Sequence, residues 1–133
     1  MGAPVPHPLL PPIKSRHVEL CLAAIDDKLN SYSINWSKKH SCGVVIASKG
    51  YPESYDINKE VKIKLNEGND LKLFHAGTKY VDDKIITSGG RVFCATALGN
   101  DLKEAQEKAY NLVNSVDFEG SFFRKDIGFK GIK

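Results

Sequence analysis

Cysteine is scarce. Cys21, Cys42 and Cys94 are the only three in 133 residues, widely spaced and without a C-x-x-C pair. An odd count at such spacing argues against a disulfide framework or a zinc site. It points to a reducing compartment in which the thiols serve as small apolar residues. Charge of one sign is also lacking: 19 basic residues stand against 16 acidic, a formal net charge of +3. The lysines are dispersed and no aromatic–basic interleaving occurs, so neither nucleic acid nor a membrane surface is an expected partner. No run is long and apolar enough to cross a bilayer. The opening "MGAPVPHPLLPPIKSR" lacks the apolar core and cleavage site of a secretory signal. Internal repeats, low-complexity tracts, a Walker pattern and a G-x-G-x-x-G turn are all missing.

What is present suits one soluble globular domain: 41% hydrophobic and 26% charged residues in a chain of ordinary domain length. Five of the six prolines lie at positions 4, 6, 8, 11 and 12. Proline blocks helix there, so residues 1–13 read as an extended lead-in and residues 14–133 as the domain. A helix is expected over residues 14–30, with Val18, Leu22, Ile25 and Leu29 forming an apolar stripe and Ser15 as a rough N-cap. "CGVVIAS" (42–48) is β-branched and apolar, a buried strand, and the turn signal "KGYPESY" follows it. "EVKIKL" (60–65) is a short strand or a turn of helix. "LKLFHAGT" (71–78) alternates as a strand, with Leu71, Leu73 and His75 on one face. "TKYVDDKIITS" reads as a hairpin around Asp82-Asp83, and "RVFCATAL" (91–98) as another strand. Asp101 with Glu104 three residues on makes a capping box, and Leu102, Ala105, Ala109, Leu112, Val113 and Val116 continue as a helical stripe. The tail "FEGSFFRKDIGFKGIK" is expected to lie across the sheet without continuing a regular element. The fold class is α+β: a small, mostly antiparallel sheet or flattened barrel with two packed helices.

Four features invite a chemical reading, each beside a plainer one. Gly89-Gly90-Arg91 offers glycines able to take positive φ and bring backbone N–H groups close to a ligand, followed by a guanidinium fork for phosphate or carboxylate. It serves equally as a tight turn with an exposed arginine. His75 in "FHAGT" either orients a substrate or is a satisfied polar residue at a sheet rim; no paired serine or cysteine nucleophile accompanies it. "FRKDIG" (123–128) is either a source of cations or a local surface ion pair. The acid pairs Asp26-Asp27 and Asp82-Asp83 are adjacent in sequence, so they do not face each other across a cleft and read as turn residues.

"LCLAAIDDKL", "SCGVVIASKGYPESY", "LFHAGTK", "SGGRVFCATALGNDLKEAQEKAYNLV" and "FEGSFFRKDIGFK", in this order, resemble the C-terminal part of glycinamide ribonucleotide synthetases, from about residue 14 to the end. The resemblance implies an ATP-grasp ligase of de novo purine synthesis, cytoplasmic, which phosphorylates glycine with Mg-ATP and lets the amine of 5-phosphoribosylamine attack the acyl phosphate. It implies that the complete enzyme needs Mg and ATP. It also implies that Gly89, Gly90, Arg91, His75, Gly77 and Thr78 face the ribosylamine-phosphate and glycine side of the cleft. At the family's acidic Gly-Asp-Pro-Glu stretch this sequence has Gly2-Ala3-Pro4-Val5, with neither acid. The ATP- and metal-binding lobes would lie upstream, so this chain is expected to hold no catalytic or metal-ligating residue and to be inactive by itself. The alternative is a non-catalytic interaction module that self-associates or packs on those lobes.

Overall fold

The computed structural model describes residues 17–65 and 68–132. The proline-rich lead-in, the Ser15 cap and the Gly2–Val5 correspondence lie outside these residues.

The centre of the fold is β6 (Arg91–Gly99), whose residues 92–97 are all buried. Its sequence explains this: small and β-branched side chains on both faces tolerate cover from both sides. It pairs antiparallel with β1 (His40–Ser48) and with β3 (Leu71–His75), and β8 (Ser121–Phe123) closes the far edge, giving the order β3-β6-β1-β8. A register shift between Ile46 and Ala47 leaves Ala47 opposite Arg91, the point at which β6 enters the sheet.

Helix α2 (Leu102–Asn114) packs across this sheet. Asp101 accepts the Glu104 N–H at 2.7 Å, so the predicted N-cap forms; the Glu104 carboxylate reaches back one residue further than a strict capping box and accepts the Asn100 N–H at 2.6 Å. Ala105, Ala109, Leu112 and Val113 are buried against Val44, Ile46, Phe93 and Ala95. Burying a side chain such as Leu112 contributes roughly 2 kcal/mol.

A second, smaller layer continues from the sheet. β4 (Thr78–Val81) and β5 (Lys84–Thr87) form the expected hairpin, turning on Asp82 (φ 47°) and Asp83 (φ 60°) as a two-residue turn with positive φ requires. Residues 58–61 run beside β5, with Thr87 N–H donating to Lys59 O at 2.9 Å and Val61 N–H to Ile85 O at 2.8 Å. They lead into β2 (Lys62–Ile63), which pairs with β7 (Val116–Asp117).

Of the two forms expected, the mostly antiparallel sheet is the one found: among the described residues an open four-stranded sheet and two small ribbons form, without closing into a barrel. Two expectations need correction. Helix α1 (His17–Ile25) is shorter than residues 14–30, because Asp27 at φ 57° breaks the helical path before a 3-10 turn at Leu29–Ser31. Its apolar stripe is not core: Val18 is 64%, Leu22 53% and Ile25 79% exposed. The tail contributes the regular edge strand β8, then folds along α2, where Gln106 Nε2 donates to Ile127 O (2.6 Å) and Tyr110 Oη to Arg124 O (2.8 Å).

Candidate functional site

The two short motifs around His75 and Arg91 form one piece of structure. The His75–Thr78 bend joins β3 to β4, and Ser88–Gly90 joins β5 to β6. Ala76 N–H donates to Val92 O (3.0 Å), Gly77 N–H to Arg91 O (2.7 Å) and Ser88 N–H to Gly77 O (2.8 Å). The bends are pressed so closely that a Cβ on Gly77 would stand 2.6 Å from Arg91 O and 2.8 Å from the Gly89 Cα.

That contact changes the reason for the glycines. Positive φ, expected of Gly89 and Gly90 beside a close backbone approach to a ligand, does not occur: neither they nor Gly77 are among the residues with positive φ. Gly77 is required by backbone–backbone approach to Gly89. Gly90 is required by two aromatic rings: its Cβ would meet Tyr51 Cδ2 at 2.2 Å and Tyr55 Cε1 at 2.9 Å. Gly90 is buried and its carbonyl accepts the Ser48 N–H at 2.8 Å, so it supports the turn from beneath.

The side chains left at the surface of this double bend are polar. His75 is exposed, its Nδ1 sharing a hydrogen bond of 3.0 Å with Thr78 Oγ1, and its ring meets Phe93 edge-on at 4.9 Å. That pair fixes the imidazole plane. Arg91 is half-buried, with its guanidinium carbon 6.0 Å from the Tyr51 ring centroid. The imidazole and hydroxyl lie on one bend and the guanidinium at the start of the strand after the other, and each is a group that can donate a hydrogen bond to an oxyanion. Tyr51 and Tyr55, with rings 6.0 Å apart, border these bends from "KGYPESY", a stretch whose sequence signals only a turn. Two tyrosines four residues apart in a loop are the signal that points to them.

The other singled-out residues settle on their plainer roles. Arg124 donates to both carboxylate oxygens of Asp126, at 2.9 and 2.6 Å, an exposed local pair in which each partner shifts the other's pKa further toward the charged form. Asp82 and Asp83 make the hairpin turn, and Asp27 ends α1. Cys42 and Cys94 are buried, and burial pushes both thiols up; Cys21 is exposed and departs from the expectation of three apolar-like cysteines. A polar cleft of about 530 Å3 is lined by Ser48, Lys49, Tyr55, Asp56, Lys59 and Glu119. Its Lys59 is held by Glu119 at 2.8 Å and Asp56 at 3.8 Å, so those charges compensate internally. Among the described residues no group of three or more His, Cys, Asp or Glu side chains is placed to hold a metal ion. No helix among them is long and apolar enough to cross a membrane.

Comparison with known proteins agrees with this architecture. A phosphoribosylamine–glycine ligase of Salmonella typhimurium is 48% identical over 134 aligned positions, covering 99% of this chain and 31% of the relative. The ligase of Vibrio parahaemolyticus is 43% identical, with 98% and 31% coverage. The crystal structure of the ligase from Thermotoga maritima superposes with a TM-score of 0.67 at 32% identity, over 81% of this chain and 27% of that one. The chain thus spans about a third of the length of the relatives it matches. Residues 41–130 match the family model for the phosphoribosylglycinamide synthetase C domain. That stretch contains the sheet from β1 onward, α2 and both bends, and the chain belongs to the phosphoribosylglycinamide synthetase C-domain family.

Proposed function

We propose that this chain provides one wall of the substrate cleft of an ATP-dependent ligase joining glycine to 5-phosphoribosylamine in de novo purine synthesis. In this reading the double bend faces the anionic end of the substrate. The carrying observation is the interlocking of His75–Thr78 with Ser88–Arg91, which sets Arg91, His75 and Thr78 on a backbone with little freedom. Gly77, Gly89 and Gly90 act as the frame. The guanidinium offers a two-pronged contact to a phosphate or carboxylate, and Thr78 Oγ1 and the imidazole supply further hydrogen bonds.

Mg-ATP would energise the glycine carboxylate in the complete ligase. The described residues do not fit its magnesium: no group of three or more His, Cys, Asp or Glu side chains comes together among them, and the carboxylate pairs that do converge, Asp56 with Glu119 and Glu104 with Asp70, are neutralised by Lys59 and Lys108. No step of the phosphoryl chemistry is assigned to them, and we expect the described residues to show no ligase turnover by themselves. Titration with ribose 5-phosphate tests the wall. Binding that weakens about tenfold in Arg91→Ala is expected, the size of one charge-assisted contact. Equal affinity in both proteins removes Arg91 from the site. Release of ADP from Mg-ATP in the presence of glycine and phosphoribosylamine would overturn the expectation of no turnover.

The exposed stripe of α1 favours a second reading, a non-catalytic interaction module. A strict monomer by light scattering at high concentration, in wild type and Leu22→Asp alike, counts against self-association.

A further inference from the structure

We infer that Tyr51 is a positioning residue that sets the direction of the Arg91 guanidinium, and that position 90 is glycine so that Tyr51 can be seated. This rests on the reading of Arg91 as an anion-facing side chain.

Three observations converge on it. The loop after β1 is tied to the Gly-Gly-Arg turn, with Ser48 N–H donating to Gly90 O at 2.8 Å and Tyr51 N–H to Ser48 O at 3.1 Å. The Tyr51 ring then occupies the space a side chain at position 90 would fill, its Cδ2 2.2 Å from the Cβ position. Arg91, the next residue, lies with its guanidinium carbon 6.0 Å from that ring's centroid, within reach of a cation–π contact. Tyr55 backs Tyr51 at 6.0 Å and 56°, so the ring is wedged between Gly90 and a second aromatic. A ring seated beside the guanidinium restricts the rotamers open to it. The ring carries the effect in this arrangement, and the Tyr51 hydroxyl is not needed for it.

A methyl group at position 90 collides with ring atoms of Tyr51 (Cδ2 2.2 Å, Cε2 3.0 Å) and Tyr55 (Cε1 2.9 Å), so it pushes the Tyr51 ring out of its seat. Gly90→Ala and Tyr51→Leu therefore both take the ring away from Arg91. Two readouts on the full chain test this. In the absence of ligand, the Arg91 Nε–H resonance is ring-shifted in wild type and in Tyr51→Phe, and moves to the unstacked position in Tyr51→Leu. In titrations with ribose 5-phosphate, Tyr51→Phe binds within about twofold of wild type, and Tyr51→Leu and Gly90→Ala each bind about fivefold more weakly. The double variant Tyr51→Leu/Gly90→Ala binds no more weakly than either single one. An unmoved Arg91 resonance in both Tyr51→Leu and Gly90→Ala overturns the inference, whatever the ligand does. Wild-type affinity in Tyr51→Leu alongside lost affinity in Arg91→Ala overturns it while leaving the anion-facing reading intact. Undiminished affinity in Arg91→Ala, or no binding by wild type, ends the anion-facing reading and this inference with it.

Discussion

Replacing Gly77 by alanine tests the interlocked bends at their tightest point. The new Cβ would lie 2.6 Å from Arg91 O, 2.8 Å from Gly89 Cα and 2.9 Å from Gly89 N. All three atoms are backbone, so no side chain can turn away. Ordinary contact begins near 3.4 Å, and relief requires the bends to part by about 0.8 Å. The Gly77 N–H···O Arg91 and Ser88 N–H···O Gly77 hydrogen bonds span this gap and lengthen with it. Overpacking of this kind costs about 1–3 kcal/mol, and weakening one such hydrogen bond about 1 kcal/mol more. Gly77→Ala should therefore lose roughly 2–4 kcal/mol, a fall in Tm of about 10 °C for a domain of this size. Urea denaturation of the two proteins measures it, with Gly68→Ala as control. A Cβ at Gly68 meets nothing within 4 Å, and that variant should stay within about 0.5 kcal/mol of wild type or gain slightly. A Gly77→Ala protein as stable as the control would refute the close approach.

Other outcomes follow from local features. Asp101→Ala removes the acceptor of the Glu104 N–H and should lower stability by about 1 kcal/mol in the same assay. Lys108 first, and the Asn100 N–H next, hold the Glu104 carboxyl below its usual pKa. A depressed folded pKa stabilises above the unfolded value, so the gap in urea midpoint between wild type and Glu104→Gln should be full at neutral pH. That gap should close as pH falls from roughly 5 downward; one independent of pH would contradict the pairing of Glu104 with Lys108 and the Asn100 N–H. Exposed Cys21 should react with a thiol reagent in the native protein, while Cys42 and Cys94 react only in denaturant. Three fast thiols in the native state would deny their burial.

Much of this fold was legible in the sequence, for physical reasons that differ by element. α2 announced itself because its cap, its first-turn acid and its stripe are all local signals, although the stripe was carried to Val116, which belongs to β7 beyond the helix end at Asn114. The β4–β5 hairpin was legible because Asp82-Asp83 tolerates the left-handed turn it needs. The antiparallel sheet was legible in its alternating strands, but the choice between an open sheet and a flattened barrel was not, since closure depends on which distant strands pair. The α1 stripe misled: periodicity records which face is apolar, not what covers it, and Val18, Leu22 and Ile25 are exposed here. At the candidate site the composition of "HAGT" and "SGGR" was visible, but the cause of their glycines was not. Gly77 answers to a backbone 12 residues away and Gly90 to Tyr51, both long-range contacts. β8 was missed because "SFF" is too short to show alternation.

The most direct measurement is an amide chemical-shift map of the chain titrated with ribose 5-phosphate, with inorganic phosphate in parallel. Shifts concentrated at Ala76–Thr78 and Ser88–Arg91, larger with the sugar phosphate, are the expected result for a substrate-facing double bend. Shifts centred on Lys49, Lys59 and Gly120 in the polar cleft, with the two bends unmoved, would contradict it.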